Sequence, residues 1–252
     1  MNMRHNKFTL VELLVVICIA SLLMGVVLPA FNRMVTGSAV DRLASNLKLR
    51  LERARSQAAS ENKDIALILP SGSDSDWSTP QEKAARLGGS RMCVVKDPDD
   101  ELDVDFVKWV INEDWTLPER GACLVYVSKD DPVDTNGTPD DPSDDVLKSS
   151  VVGTTKKIAL KSVSALTDET SGKDKPLKSI RNYNKSGSAR SNCAVIFSPG
   201  GSMRSAGDVY LVIHEAMVMP DGSLLYPGGG VQFSNFRVLK INRLTGKVEY
   251  HR

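Results

Sequence analysis

Few side chains in this sequence have the spacing that chemistry demands. The three histidines are His5, His214 and His251, and none stands in an HExxH arrangement that would offer two imidazoles to zinc. A GxSxG nucleophile elbow and a phosphate-cradling glycine loop are also lacking, so an enzyme is not expected. No two cysteines have CxxC spacing, which argues against a zinc or thioredoxin-like site. Cys18 lies in an apolar run and reads as a small hydrophobe. Of the other three, Cys93 in RMCVV and Cys123 in ACLVYV sit in strand-like runs and are the first expected disulfide pair.

Oxygen ligands cluster in KDDPVDTNGTPDDPSDD, residues 129–145, where Asp134, Asn136, Asp140 and Asp141 are candidates for calcium. Asp134-x-Asn136-Gly137 echoes part of an EF-hand loop, but Pro132 precedes it and the closing acid is out of step. A solvated acidic loop is therefore the default reading, with calcium as its alternative; no other cofactor is expected. The acidic run at 97–105 reads as a solvated turn. Residues 167–192 form a basic connection with Tyr183 as their single aromatic, too few stacking rings for single-stranded nucleic acid. Trp77, Trp109 and Trp115 read as core or edge packing, with sugar contact as the alternative.

One carboxylate stands where the solvent should exclude it. In KFTLVELLVVICIASLLMGVVLPAF, residues 7–31, Glu12 interrupts an otherwise apolar run. From Leu10 to Phe31 there are 22 residues, about 33 Å as a helix, enough to cross a hydrocarbon core. Arg4 and Lys7 precede the run and predict a cytoplasmic N-terminus, with the bulk of the chain across the membrane. A secretory signal peptide fits poorly, because the stretch is long and LPAF is a poor cleavage site. A plain signal anchor leaves Glu12 without a purpose, although such a group costs roughly 2.5–3.5 kcal/mol to insert.

The third reading is a resemblance. Lys7-Phe8-Thr9-Leu10-Val11-Glu12-Leu13-Leu14-Val15-Val16 resembles the class III signal of type IV pilins and type II secretion pseudopilins. The resemblance implies cleavage by a prepilin peptidase between Lys7 and Phe8, then methylation of the new Phe8 amine. It also implies that Glu12 neutralises the amine of an adjacent subunit and so helps to set axial register, a pairing favoured in low dielectric. Snorkelling of Glu12 to the cytoplasmic interface is the plainer alternative. Pro29 falls where many pilins carry a helix-loosening proline, in keeping with its loss of a backbone donor. The sequence departs from the family at Lys7, where Gly is usual.

The elements that must hold these residues follow from periodicity. Val40, Leu43, Leu47, Leu51, Ala54 and Ala58 recur at three- and four-residue steps, with Asp41, Arg42, Lys48, Arg50, Arg53 and Arg55 between them. One helix of roughly 50 residues, ending near Asn62, is expected. Strand candidates are 65–70, 92–95, 106–111, 123–127, 157–160, 194–197, 209–214, 237–242 and 247–251, the last two joined at Thr245-Gly246. The expected fold class is α+β: a long N-terminal helix, its first half transmembrane, packed on an antiparallel sheet as in pilins. The expected organisation is a leader at 1–7, a membrane or filament-core helix at 8–31, its amphipathic continuation at 32–62, and a β-rich domain at 63–252.

RARSQAASENKDIALIL, AVIFSPGGSMRSAGDVYLVI and FRVLKINRLTGKVEY are similar to marks of the H-type minor pseudopilin and its pilus relatives. The implied function is a structural subunit of a pseudopilus or type IV pilus, most like a minor pseudopilin. Its implied partners are other pilins, the prepilin peptidase, an assembly platform with its ATPase, and lipid. Its implied place is the bacterial inner membrane, with a cytoplasmic N-terminus and periplasmic domain, and then the filament. The alternative is a tethered ligand-binding or adhesin module displayed on a filament. Charge supports directional contact between like molecules: residues 96–145 hold 16 Asp/Glu against 4 Lys/Arg, and residues 146–252 hold 16 Lys/Arg against 7 Asp/Glu.

Overall fold

The structure, a computed structural model of the chain, describes residues 10–70, 85, 87–96, 103–118, 121–134, 146–148, 162–164, 193–219, 224–225 and 235–251. Helix α1 spans Leu10–Glu61, 52 residues. Its C-terminal half buries Ala39, Val40, Leu43, Ala44, Leu47, Leu51, Ala54 and Ala58, one stripe at helical spacing. Asn62 closes the helix in the left-handed region at φ 52°, and the Lys63 N–H donates to the Ala58 carbonyl at 3.2 Å. That six-to-one bond satisfies a carbonyl the helix end would otherwise leave orphaned. α1 continues through position 29, so Pro29 does not end it; the side chain there, and the kink assigned to it, lie outside the described residues.

Among the described residues twelve strands follow: β1 Asp64–Leu69, β2 Arg91–Lys96, β3 Asp103–Trp109, β4 Gly121–Ser128, β5 Val133–Asp134, β6 Val146–Leu147, β7 Ser162–Ser164, β8 Cys193–Phe197, β9 Val209–Val218, β10 Leu224–Leu225, β11 Phe236–Ile241 and β12 Val248–His251. They build two principal sheets. β1, β2, β3, β7 and β8 close into a small barrel, and β4, β9, β10, β11 and β12 form an antiparallel sheet. β5 and β6 pair separately as a two-stranded ribbon.

Period-2 alternation explains why so few strand residues are exposed. In β1, Ile65, Leu67 and Leu69 face the core beneath α1, whereas Ala66 and Ile68 join a second cluster with Ala194, Ile196 and Val104. In β9, Val209, Leu211 and Ile213 face the same α1 core, while Tyr210 and Val212 join a third cluster with Val125 and Val238. α1 therefore lies against one face of each sheet, and the other faces have apolar layers of their own. Every strand buried on both sides reads as a continuous apolar run, as IALIL and CAVIF do.

The fold expected from sequence needs correction in two respects. A single antiparallel sheet is replaced by a barrel and a separate sheet, and the barrel closes through a parallel pair, β3 with β7. Val94 and Val95 pair with Lys108 and Phe106, so Val107 is an extra residue that bends β3 against β2 and helps the sheet curl rather than extend. The transmembrane first half is the second correction: among the described residues, no helix is long and apolar enough to cross a membrane. The strand expected at 157–160 lies outside the described residues.

Candidate assembly surface

α1 divides into a part that packs and a part that does not. Leu10, Val11, Leu14, Val15, Val16, Ile17, Ile19, Leu23 and Met24 are all exposed, Leu10 to 81% of its surface. In the second half, Leu43, Leu47 and Leu51 are buried against the sheets. Scattered apolar residues on a surface are ordinary, but nine within fifteen positions on one helix form a patch that water disfavours by about 25 cal/mol per Å². Ser21 does not interrupt it with an unmet hydroxyl, since its Oγ donates to the Ile17 carbonyl at 2.8 Å.

Glu12 is exposed in the first turn of α1. A carboxylate there meets the positive end of the helix dipole and the unsatisfied N–H groups of that turn, so its charge favours the helix start. Lys7 and Phe8, where the resemblance puts cleavage and methylation, lie outside the described residues.

The rest of α1 is fastened to the β-domain by charge. Glu113, buried at the end of the β3 side of the barrel, accepts from the exposed Arg53 and lies 3.5 Å from the Arg50 guanidinium. Arg50 also donates to the Ser90 carbonyl at 3.2 Å, and burial lowers its pKa from the usual arginine value despite the nearby Glu113 carboxylate. Arg91 donates to the Glu113 carbonyl at 3.1 Å and lies over the Trp109 ring at 4.1 Å. Removing Glu113 would strand the Arg50 guanidinium in a poorly solvated place.

Three sequence stretches that are far apart in the chain meet at one junction. The turn Phe197-Ser198-Pro199-Gly200-Gly201 is closed by a Ser198 N–H to Ser202 carbonyl bond at 2.8 Å. The β11–β12 hairpin is closed by Asn242, whose Oδ1 accepts the N–H groups of Leu244 and Thr245, each at 3.0 Å. Met203 N–H donates to the Arg243 carbonyl at 2.9 Å and ties the turn to the hairpin. Gly246, at φ 62°, lies so close to the Gly201 carbonyl that a Cβ would overlap it, with Phe197 and the Arg55 side chain also against it.

Other sequence expectations fare differently. The Cys93–Cys123 disulfide is corrected: the two cysteines are not bonded to each other. Cys93 belongs to the barrel cluster, Cys123 to the layer on the far side of the second sheet, and Cys193 to the α1 core. Three thiols in three separate layers cannot meet. Burial also pushes the Cys93 thiol well above its usual pKa, with Arg91 pulling weakly the other way, so it is a poor nucleophile. Of the calcium candidates, the Asp134 backbone lies in β5, but its side chain and Asn136, Asp140 and Asp141 lie outside the described residues. Among the described residues no cluster of His, Cys, Asp or Glu has metal-ligand geometry.

Trp109 packs edge-to-face on Phe106 at 5.0 Å and on Trp115 at 5.8 Å, beside the barrel cluster. His214 is fully buried in β9, and its Nδ1–H donates to the Glu215 carbonyl at 3.0 Å. His251 meets Asp131 at 2.9 Å. Sequence reasoning did not foresee the Arg50–Arg53–Glu113 group. Its arginines were read as the polar faces of α1, and Glu113 has no helical or strand spacing to mark it.

No family model matches this chain, and neither does any curated protein or solved structure.

Proposed function

We propose that this chain is a prepilin-type structural subunit of a pseudopilus or type IV pilus, of the minor-pseudopilin kind. The supporting observation is the bare apolar start of α1, whose first residues Leu10-Val11-Glu12 complete the sequence motif Phe8-Thr9-Leu10-Val11-Glu12 and which leaves nine large apolar side chains exposed from Leu10 to Met24. Such a surface needs an apolar environment, either lipid or the same segment of other subunits. Exchange between those two is nearly neutral in hydrophobic energy, because lipid tails are as apolar as leucine. Assembly can then be driven and reversed by external machinery, and the sequence has no nucleotide-binding motif of its own.

In this reading the N-terminal segment holds the precursor at the bacterial inner membrane, with the β-domain on the periplasmic side. A prepilin peptidase removes residues 1–7 and the Phe8 amine is methylated. Glu12 lies four residues beyond that amine, one helical turn, and pairs with the amine of a neighbouring subunit. Other pilins, the peptidase and an ATPase-driven platform are the partners. A Glu12→Ala variant is expected to reach the membrane fraction in normal amount and to be lost from sheared filaments. Normal incorporation of that variant would remove the charge pair from the account.

A further inference from the structure

A cleft of about 350 Å³ opens beside the C-terminal end of α1, lined by Lys63, Lys96, Lys108 and Arg204, with Val107 and Pro199 among its apolar walls. Lys63, Lys96 and Lys108 are exposed, and Val107 is 52% exposed. Among the described lining residues Asp64 is the one acid, and Arg204 donates to it at 3.1 Å. The cleft therefore has an excess of positive charge over an apolar floor. Its size is at the low end of ligand sites, which run from about 300 to 1,000 Å³, and suits a turn of peptide with one or two carboxylates.

The same chain carries a matching anion elsewhere. Residues 135–145, TNGTPDDPSDD, contain four aspartates and no lysine or arginine. They connect β5 to β6, and that ribbon is anchored by Val133 and Leu147 to the layer over the second sheet. The cleft is built from the barrel strands β1, β2 and β3 together with the turn after β8. Cation and anion thus belong to different segments of one chain. A patch that meets a different patch on the next copy makes a heterologous contact, which propagates head to tail.

We propose that the cleft docks the acidic β5–β6 connection, residues 135–145, of a second copy of this chain. The contact rests on the filament reading, since it supplies a directional link between adjacent β-domains. Clefts of one sign concentrate the opposite charge and orient its approach, so register as well as attraction follows.

The test uses the full chain in neutral detergent micelles and a labelled peptide of residues 133–147. Saturable binding is expected, weakening at least tenfold in the double variant Lys63→Glu, Lys108→Glu. A peptide with Lys at positions 140, 141, 144 and 145 is expected to bind that variant and not the original chain. Unchanged circular dichroism of the variant keeps the comparison fair. Absence of peptide binding, as when the chain's own 97–102 connection fills the cleft, overturns the proposal. So does equal affinity for the original and charge-reversed clefts. Neither result touches processing at Phe8, and an unprocessed N-terminus would leave peptide binding unchanged, so the two readings fail separately.

Discussion

Burial holds the His214 imidazole at a pKa of about 4, because loss of solvation outweighs the hydrogen bond to the Glu215 carbonyl. The unfolded chain, near 6.5, binds the extra proton first. This contribution to stability is complete above about pH 6.5 and is lost as pH falls towards 4. At pH 4.5 the loss is roughly 2–3 kcal/mol relative to pH 7. Urea unfolding of the original chain and of His214→Gln, compared at the two pH values in micelles, isolates it from the titrating carboxylates. The original chain is expected to lose more stability than the variant on acidification; equal losses would contradict the assignment. The place of His214 in a strand is legible in the sequence, since it interrupts the apolar run VYLVIHEAMV. The cysteines were less legible. RMCVV and ACLVYV both read as strands, but strand pattern does not tell which of several layers a residue faces.

At the scale of elements, the junction of the Phe197 turn with the β11–β12 hairpin is the most constrained place in the fold. Gly246 has positive φ and no room for a methyl group, since the obstacle is the Gly201 backbone rather than a flexible side chain. Left-handed backbone costs a residue with a Cβ roughly 1–3 kcal/mol, and the overlap adds to it. Gly246→Ala is therefore expected to lower unfolding free energy by at least about 2 kcal/mol, read from the urea midpoint. Gly207→Ala is the control: nothing lies within 4 Å of its added methyl, and it should be near neutral. Equal effects at the two positions would refute the close contact.

The long strands announced themselves through apolar runs, as with β1, β2, β4, β8, β9, β11 and β12. β5, β6, β7 and β10 are two or three residues long, too short to show alternation, and they exist through pairing with other strands. β3 begins earlier than expected, at Asp103, because its acidic first residues read as a turn. Barrel closure was illegible for a related reason: it depends on the three-residue β7 and on the extra residue Val107 in β3, not on any single segment's pattern.

For the molecule as a whole, the division of labour is between the buried and bare halves of α1. The half from Ala39 to Ala58 is held by both sheets and by Glu113, while the large apolar side chains described from Leu10 to Met24 are exposed. Both halves could be read from sequence, one by helical spacing and the other by its apolar run with a single acid. The partner of the bare half was not readable by periodicity alone; the Phe8–Glu12 motif supplied that expectation. Mass spectrometry of the mature chain tests the account most directly. A chain starting at an N-methylated Phe8, with residues 1–7 removed, is the expected result; a chain starting at Phe31 would contradict it.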